Sequence, residues 1–127
     1  MSQLSGWIAV GIGAALGAWL RWGLSVLLGQ LHSRVQLGTL AVNLIGGYLI
    51  GLALGFFGDH AGLHPAWRLF AITGFLGGLT TFSTFSGEAM VLLQRGEYGW
   101  ALAHSALHLF GAIGCCIAGF ATWRAIA

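Results

Sequence analysis

The run Gly74-Phe75-Leu76-Gly77-Gly78-Leu79-Thr80-Thr81-Phe82-Ser83-Thr84-Phe85-Ser86-Gly87-Glu88 combines glycines, hydroxyls, two phenylalanines and a carboxylate inside an apolar stretch. In hydrocarbon such polar groups must be satisfied by other protein groups, by water or by an ion, so the run reads as an ion pathway or binding site. Phe82 and Phe85 stand three residues apart and share a helix face. An aromatic ring has a positive edge, so a ring edge beside Ser83, Thr84 and an amide offers a small anion many weak, uncharged donors. Weak donors strip an ion's water without holding it, which conduction requires. Asn43 is the only asparagine in the chain, and Thr39 lies one turn before it on the same face. Its amide can donate two hydrogen bonds. Glu88, one turn beyond Thr84, is the sole acid inside an apolar span, and intramembrane carboxylates are usually functional.

Adjacent Gly77-Gly78 followed by Thr80-Thr81 predicts a helix break near residues 77–81. Carbonyls freed there cost several kcal/mol each unless partnered. A coordinated cation would partner them, and so would a kink healed by the Ser and Thr hydroxyls; the residues alone leave both open.

The elements that position these groups follow from composition. Hydrophobic residues make up 57% of the 127-residue chain and charged ones 6%, with mean hydropathy +0.86, so the chain is integral to a membrane. There is no lysine, and five arginines stand against three acids, which leaves no basic patch for nucleic acid. An apolar helix needs about 20 residues to cross the hydrocarbon layer. Four spans are expected, at 4–28, 37–57, 66–93 and 99–125, in one all-α transmembrane domain with the third helix broken near its middle. Polar connectors separate them at 29–36, 58–65 and 94–98. The first five residues lack a positive charge, so the first apolar run reads as a retained helix and not a signal peptide.

With four crossings, Arg68 and Arg124 fall on the side of the termini, whereas Arg34 and Arg95 fall on the other with Arg21 nearer to it. Because cytoplasmic arginine sets orientation, this near balance predicts insertion both ways up and an antiparallel homodimer. Glycine, at 22 residues, recurs every fourth position at Gly13 and Gly17, at Gly47, Gly51 and Gly55, and at Gly74 and Gly78. That spacing predicts helix faces that let a neighbouring backbone approach closely.

These residues resemble the Fluc (CrcB) fluoride channels: Gly17-Ala18-Trp19-Leu20-Arg21-Trp22 in the first span, Gly38-Thr39-Leu40 through Asn43 with Gly46 in the second, and Gly74 through Glu88 in the third. The resemblance covers all four spans. It implies a dual-topology homodimer in the bacterial inner membrane that exports fluoride passively through two antiparallel pores, with a central structural sodium ion. It assigns sodium to the backbone carbonyls of Gly77 and Thr80, the fluoride-facing ring edges to Phe82 and Phe85, and the pore amide to Asn43. Ser83, Thr39, Thr84 and Glu88 would continue the polar track, and Arg21 would lend positive potential to a vestibule.

The fourth span departs from that pattern with His104, His108 and Ala112, where look-alikes tend to carry a tyrosine and serines. His108 is placed in the ion pathway. Neutral imidazole still donates one N–H, whereas protonation near its ordinary pKa of about 6.5 would add charge, so flux is expected to depend on pH below neutrality. Histidines four apart can share a metal, but no carboxylate or third ligand is near them in sequence, which argues against one. The alternative to a channel is a proton-coupled small-ion exporter of the dual-topology four-helix kind, for which Glu88 is the only available acid. An intramembrane hydrolase would have to pair Ser83 or Ser86 with His104, and nothing in the sequence orients that histidine. The protein is not expected to be an enzyme.

Overall fold

The computed structural model of the protein describes residues 2–28 and 34–127, and the described residues are helical with no strand. Four spans long and apolar enough to cross a bilayer succeed one another: α1 (Gln3–Leu28), α2 (Leu37–Asp59), a composite third span over Pro65–Gln94, and α6 (Tyr98–Ile126). They extend up to two residues beyond the ranges read from hydropathy. The first connector, expected at 29–36, is described only from Arg34 onward; its residues 29–33 lie outside the described residues.

The third span divides into α3 (Pro65–Arg68), a π-helical stretch (Leu69–Leu76), α4 (Gly77–Leu79) and α5 (Phe82–Gln94). Pro65 opens it at a position where its missing N–H is harmless, and the His64 ring accepts from the Ala66 N–H at 3.1 Å. Regular helix stops at Thr80 (φ −89°, ψ 157°) and Thr81 (φ −149°, ψ 125°), which are extended. The two threonines divide the work. Thr80 closes the first half, its N–H and its hydroxyl both donating to the Leu76 carbonyl at 3.0 and 2.9 Å. Thr81 opens the second half as N-cap, its hydroxyl accepting from the Thr84 N–H at 3.2 Å. The break in the third helix is therefore present, and it is built from side-chain caps. At the far end, Gly96 adopts φ 74° while Gly96 N–H and Glu97 N–H reach back to the carbonyls of Leu93 and Leu92, the paired bonds that terminate a helix at a left-handed glycine.

Helices pair through the glycine rows. In α1, side chains at Gly13 and Gly17 would collide with the backbone of Phe70, Phe75 and Leu79; Gly74 and Gly78 return the contact against Val10, Gly13 and Ala14. In α2, Gly47 and Gly51 lie against the carbonyls of Ala112 and Cys116, and Gly119 of α6 lies against that of Tyr48. Small residues take this role because lipid is as apolar as leucine and gives helices no hydrophobic reason to associate. Accordingly the core of one chain is small, centred on Val42, Leu76 and Leu79. Most other large apolar side chains are exposed.

Candidate functional site

The break exposes backbone polar groups, and Asn43 of α2 reaches across to two of them. Its Oδ1 accepts from the Thr81 N–H at 2.9 Å and its Nδ2 donates to the Thr81 carbonyl at 3.0 Å. One asparagine thus replaces both helical bonds that Thr81 forfeits, which supplies the partners an extended residue needs in hydrocarbon. On the α1 side, Arg21 Nε donates to the carbonyl of Gly78 at 3.0 Å. Among the described residues no hydrogen bond ends on the carbonyls of Gly77 or Thr80. These two oxygens have the chemistry a hard monovalent cation takes.

Beside the break runs an open groove of about 790 Å³, lined among others by Asn43, Gly77, Thr80, Phe82, Phe85 and His108. Phe82 is 79% exposed. Phe85 is half-buried, its ring centroid 5.5 Å from that of Phe82, 5.1 Å from His104 in a stacked arrangement and 4.8 Å from His108. With imidazoles against the ring face, the electropositive edge of Phe85 is what remains for other contacts. Asn43 Nδ2 also lies 2.9 Å from His108 Nδ1.

One turn further along α5, Thr39 Oγ1 donates to Glu88 Oε2 at 2.6 Å. His104 is fully buried, its Nε2 3.3 Å from the Phe85 carbonyl and 3.6 Å from Glu88 Oε1. Both neighbours are acceptors, so Nε2 carries the proton. Glu88 Oε1, His104 Nδ1 and His108 Nε2 are buried with no partner, and one ligand atom from each of these three residues lies within 4.8 Å of the others. Glu88 is the carboxylate that sequence proximity could not supply to the histidine pair.

The structure therefore brings Asn43, Phe82, Phe85, His108, Gly77 and Thr80 to one groove, with Thr39 and Glu88 forming an adjoining polar pair. Ser83 and Thr84 are exposed near the start of α5, where the Thr84 hydroxyl accepts from that of Thr81 at 3.1 Å. Arg21 is half-buried and bound to the break through Gly78. Two groups were not singled out as site residues from the sequence: Thr81, whose backbone is the hub of the Asn43 contacts, and His104, which joins Phe85 to Glu88. The Thr80-Thr81 pair after two glycines was the available signal for the first. Ser86, considered as a nucleophile, donates its hydroxyl to the Phe82 carbonyl at 2.9 Å.

The family described as CrcB-like protein, Camphor Resistance (CrcB) matches residues 8–120. A fluoride-specific ion channel FluC from Cupriavidus pinatubonensis is 62% identical over 122 residues, covering 96% of this chain and 97% of its own length. Proteins of the same name from Burkholderia pseudomallei and Ralstonia pickettii are 58% identical over 118 residues and 56% identical over 119, covering 93% and 94% of this chain and 91% and 94% of their own.

Proposed function

The chain belongs to the CrcB family, and on that premise we propose that it is a fluoride channel and not an enzyme, carrying the anion passively along the groove beside the third-helix break. The observation that carries this reading is the concentration of uncharged polar groups at one place in an apolar bundle: Asn43 on the Thr81 backbone, the Phe82 and Phe85 rings, and His108. No arginine lines this groove, and a full positive charge there would bind an anion and block it. Thr39, Ser83, Thr84 and Glu88 extend the polar track, and Arg21, tied to Gly78, lends positive potential at its side. The four long apolar helices make the protein multi-pass, and we place it in the bacterial inner membrane.

We further propose an antiparallel dual-topology homodimer with two pores and a central sodium ion. The arginine balance supports two-way insertion. The free carbonyls of Gly77 and Thr80 support sodium: both residues reach the surface of the single chain, so a two-fold axis can bring four such oxygens together. Sodium would there replace the hydrogen bonds that the break removes. Compartment-sensitive reporters on each terminus are expected to show both orientations in one membrane; a single orientation in every copy would sink the dimer.

Liposomes loaded with potassium fluoride test the conduction. Fluoride is expected to leave only once valinomycin lets potassium follow, with chloride held back. Fluoride efflux coupled to proton movement would instead identify the exporter alternative and make Glu88 its carrier. Equal flux of chloride would defeat the selectivity.

A further inference from the structure

The two bonds between Asn43 and Thr81 settle which way the amide points. Turned over, Nδ2 would face the Thr81 N–H and Oδ1 would face the Thr81 carbonyl, losing both. Oδ1 is therefore on the N–H and one Nδ2 hydrogen is on the carbonyl. The second Nδ2 hydrogen is directed at His108 Nδ1, 2.9 Å away. An amide nitrogen only donates, so His108 Nδ1 accepts and carries no proton. In a neutral imidazole the proton then stands on Nε2, the atom that is buried without a partner.

We propose that Asn43 serves the permeating anion through His108: as a positioning residue it holds the imidazole in its neutral Nε2–H form, so that an uncharged N–H is kept for a small, partly dehydrated anion. This deepens the channel reading and rests on it. Both hydrogens of the Asn43 amide are spent, one on Thr81 and one on His108, and His108 supplies the donor in its place. A neutral N–H suits conduction better than a cation, because it offers one hydrogen bond without trapping the ion. The same arrangement decides against a transition metal at Glu88, His104 and His108. Metal binding needs a lone pair from each imidazole, and the His108 lone pair is already engaged by Asn43. An added proton on Nδ1 would likewise have to enter where Asn43 donates.

Nitrogen-15 NMR of the histidine-labelled full chain in lipid reads this directly. His108 is expected to show a protonated Nε2 and an unprotonated Nδ1. The opposite tautomer, or an imidazolium near neutral pH, overturns the proposal, and because no flux is measured this result is separate from the fate of the channel reading. In fluoride efflux, H108Q keeps an N–H donor and H108L does not, so H108Q is expected to exceed H108L by about tenfold, the effect of one hydrogen bond to an ion. Equal rates in folded variants overturn it. Micromolar zinc is expected to leave wild-type efflux unchanged; zinc block that disappears in H108L would show a lone pair available on His108 Nε2 and overturn it as well.

Discussion

Fluoride efflux is expected to fall about two- to tenfold when Phe82 is replaced by isoleucine, with chloride still excluded and the protein still folded. A ring-edge contact contributes about 0.5–1.5 kcal/mol, and since each 1.36 kcal/mol is a factor of ten in rate, the loss of one ring is worth about two- to tenfold. Phe82 is the cleaner site because its ring is 79% exposed in the chain, so truncating it removes little internal packing. Phe85→Ile should cost at least as much, but it also removes the surface on which His104 and His108 pack. Comparing the two therefore separates the ring's action on the ion from its support of the imidazoles. Wild-type flux in folded Phe82→Ile would remove the ring edges from the pathway.

The second large effect concerns assembly. Gly51→Ala and Gly119→Ala should each lower stability by about 1–3 kcal/mol or more, the cost of overpacking a filled interface. A methyl at Gly51 lands on the Cys116 carbonyl and one at Gly119 on the Tyr48 carbonyl. Backbone atoms cannot swing aside, so α2 and α6 would have to separate along their length. Gly23 and Gly114 provide the contrast, since a methyl at either meets nothing within 4 Å. There alanine is expected to be neutral or to stabilise by up to about 1 kcal/mol through helix propensity. Thermal unfolding in detergent checks both pairs, and Gly51→Ala as stable as Gly23→Ala would contradict the interlock.

The contrast between those glycines marks how far the chain's pattern could be read. The recurrence of Gly47 and Gly51, or of Gly74 and Gly78, identifies a close-packing face because a helix repeats every 3.6 residues whatever surrounds it. Gly77-Gly78 before Thr80-Thr81 likewise predicts a break, since both causes are local: weak helix propensity, then hydroxyls that compete for backbone partners. Spacing can also place His104 and His108 together, being four residues apart on one helix. It says nothing about the carboxylate opposite them, because Glu88 arrives from another helix and is separated from His104 by a chain reversal at Gly96.

Composition and periodicity by themselves determined four spans, their glycine faces, the interrupted third helix and the polar residues along it, because bilayer thickness and helical repeat act on each segment alone. Only the tertiary structure decided that Asn43 spends its amide on Thr81 and His108, that Arg21 holds the Gly78 carbonyl, and that Phe85 lies against two imidazoles. Those pairings depend on how closely neighbouring helices approach and on how the extended Thr80 and Thr81 re-aim α5. Both are properties of the packed bundle, in which a polar group takes whichever partner the crossing brings within hydrogen-bond reach.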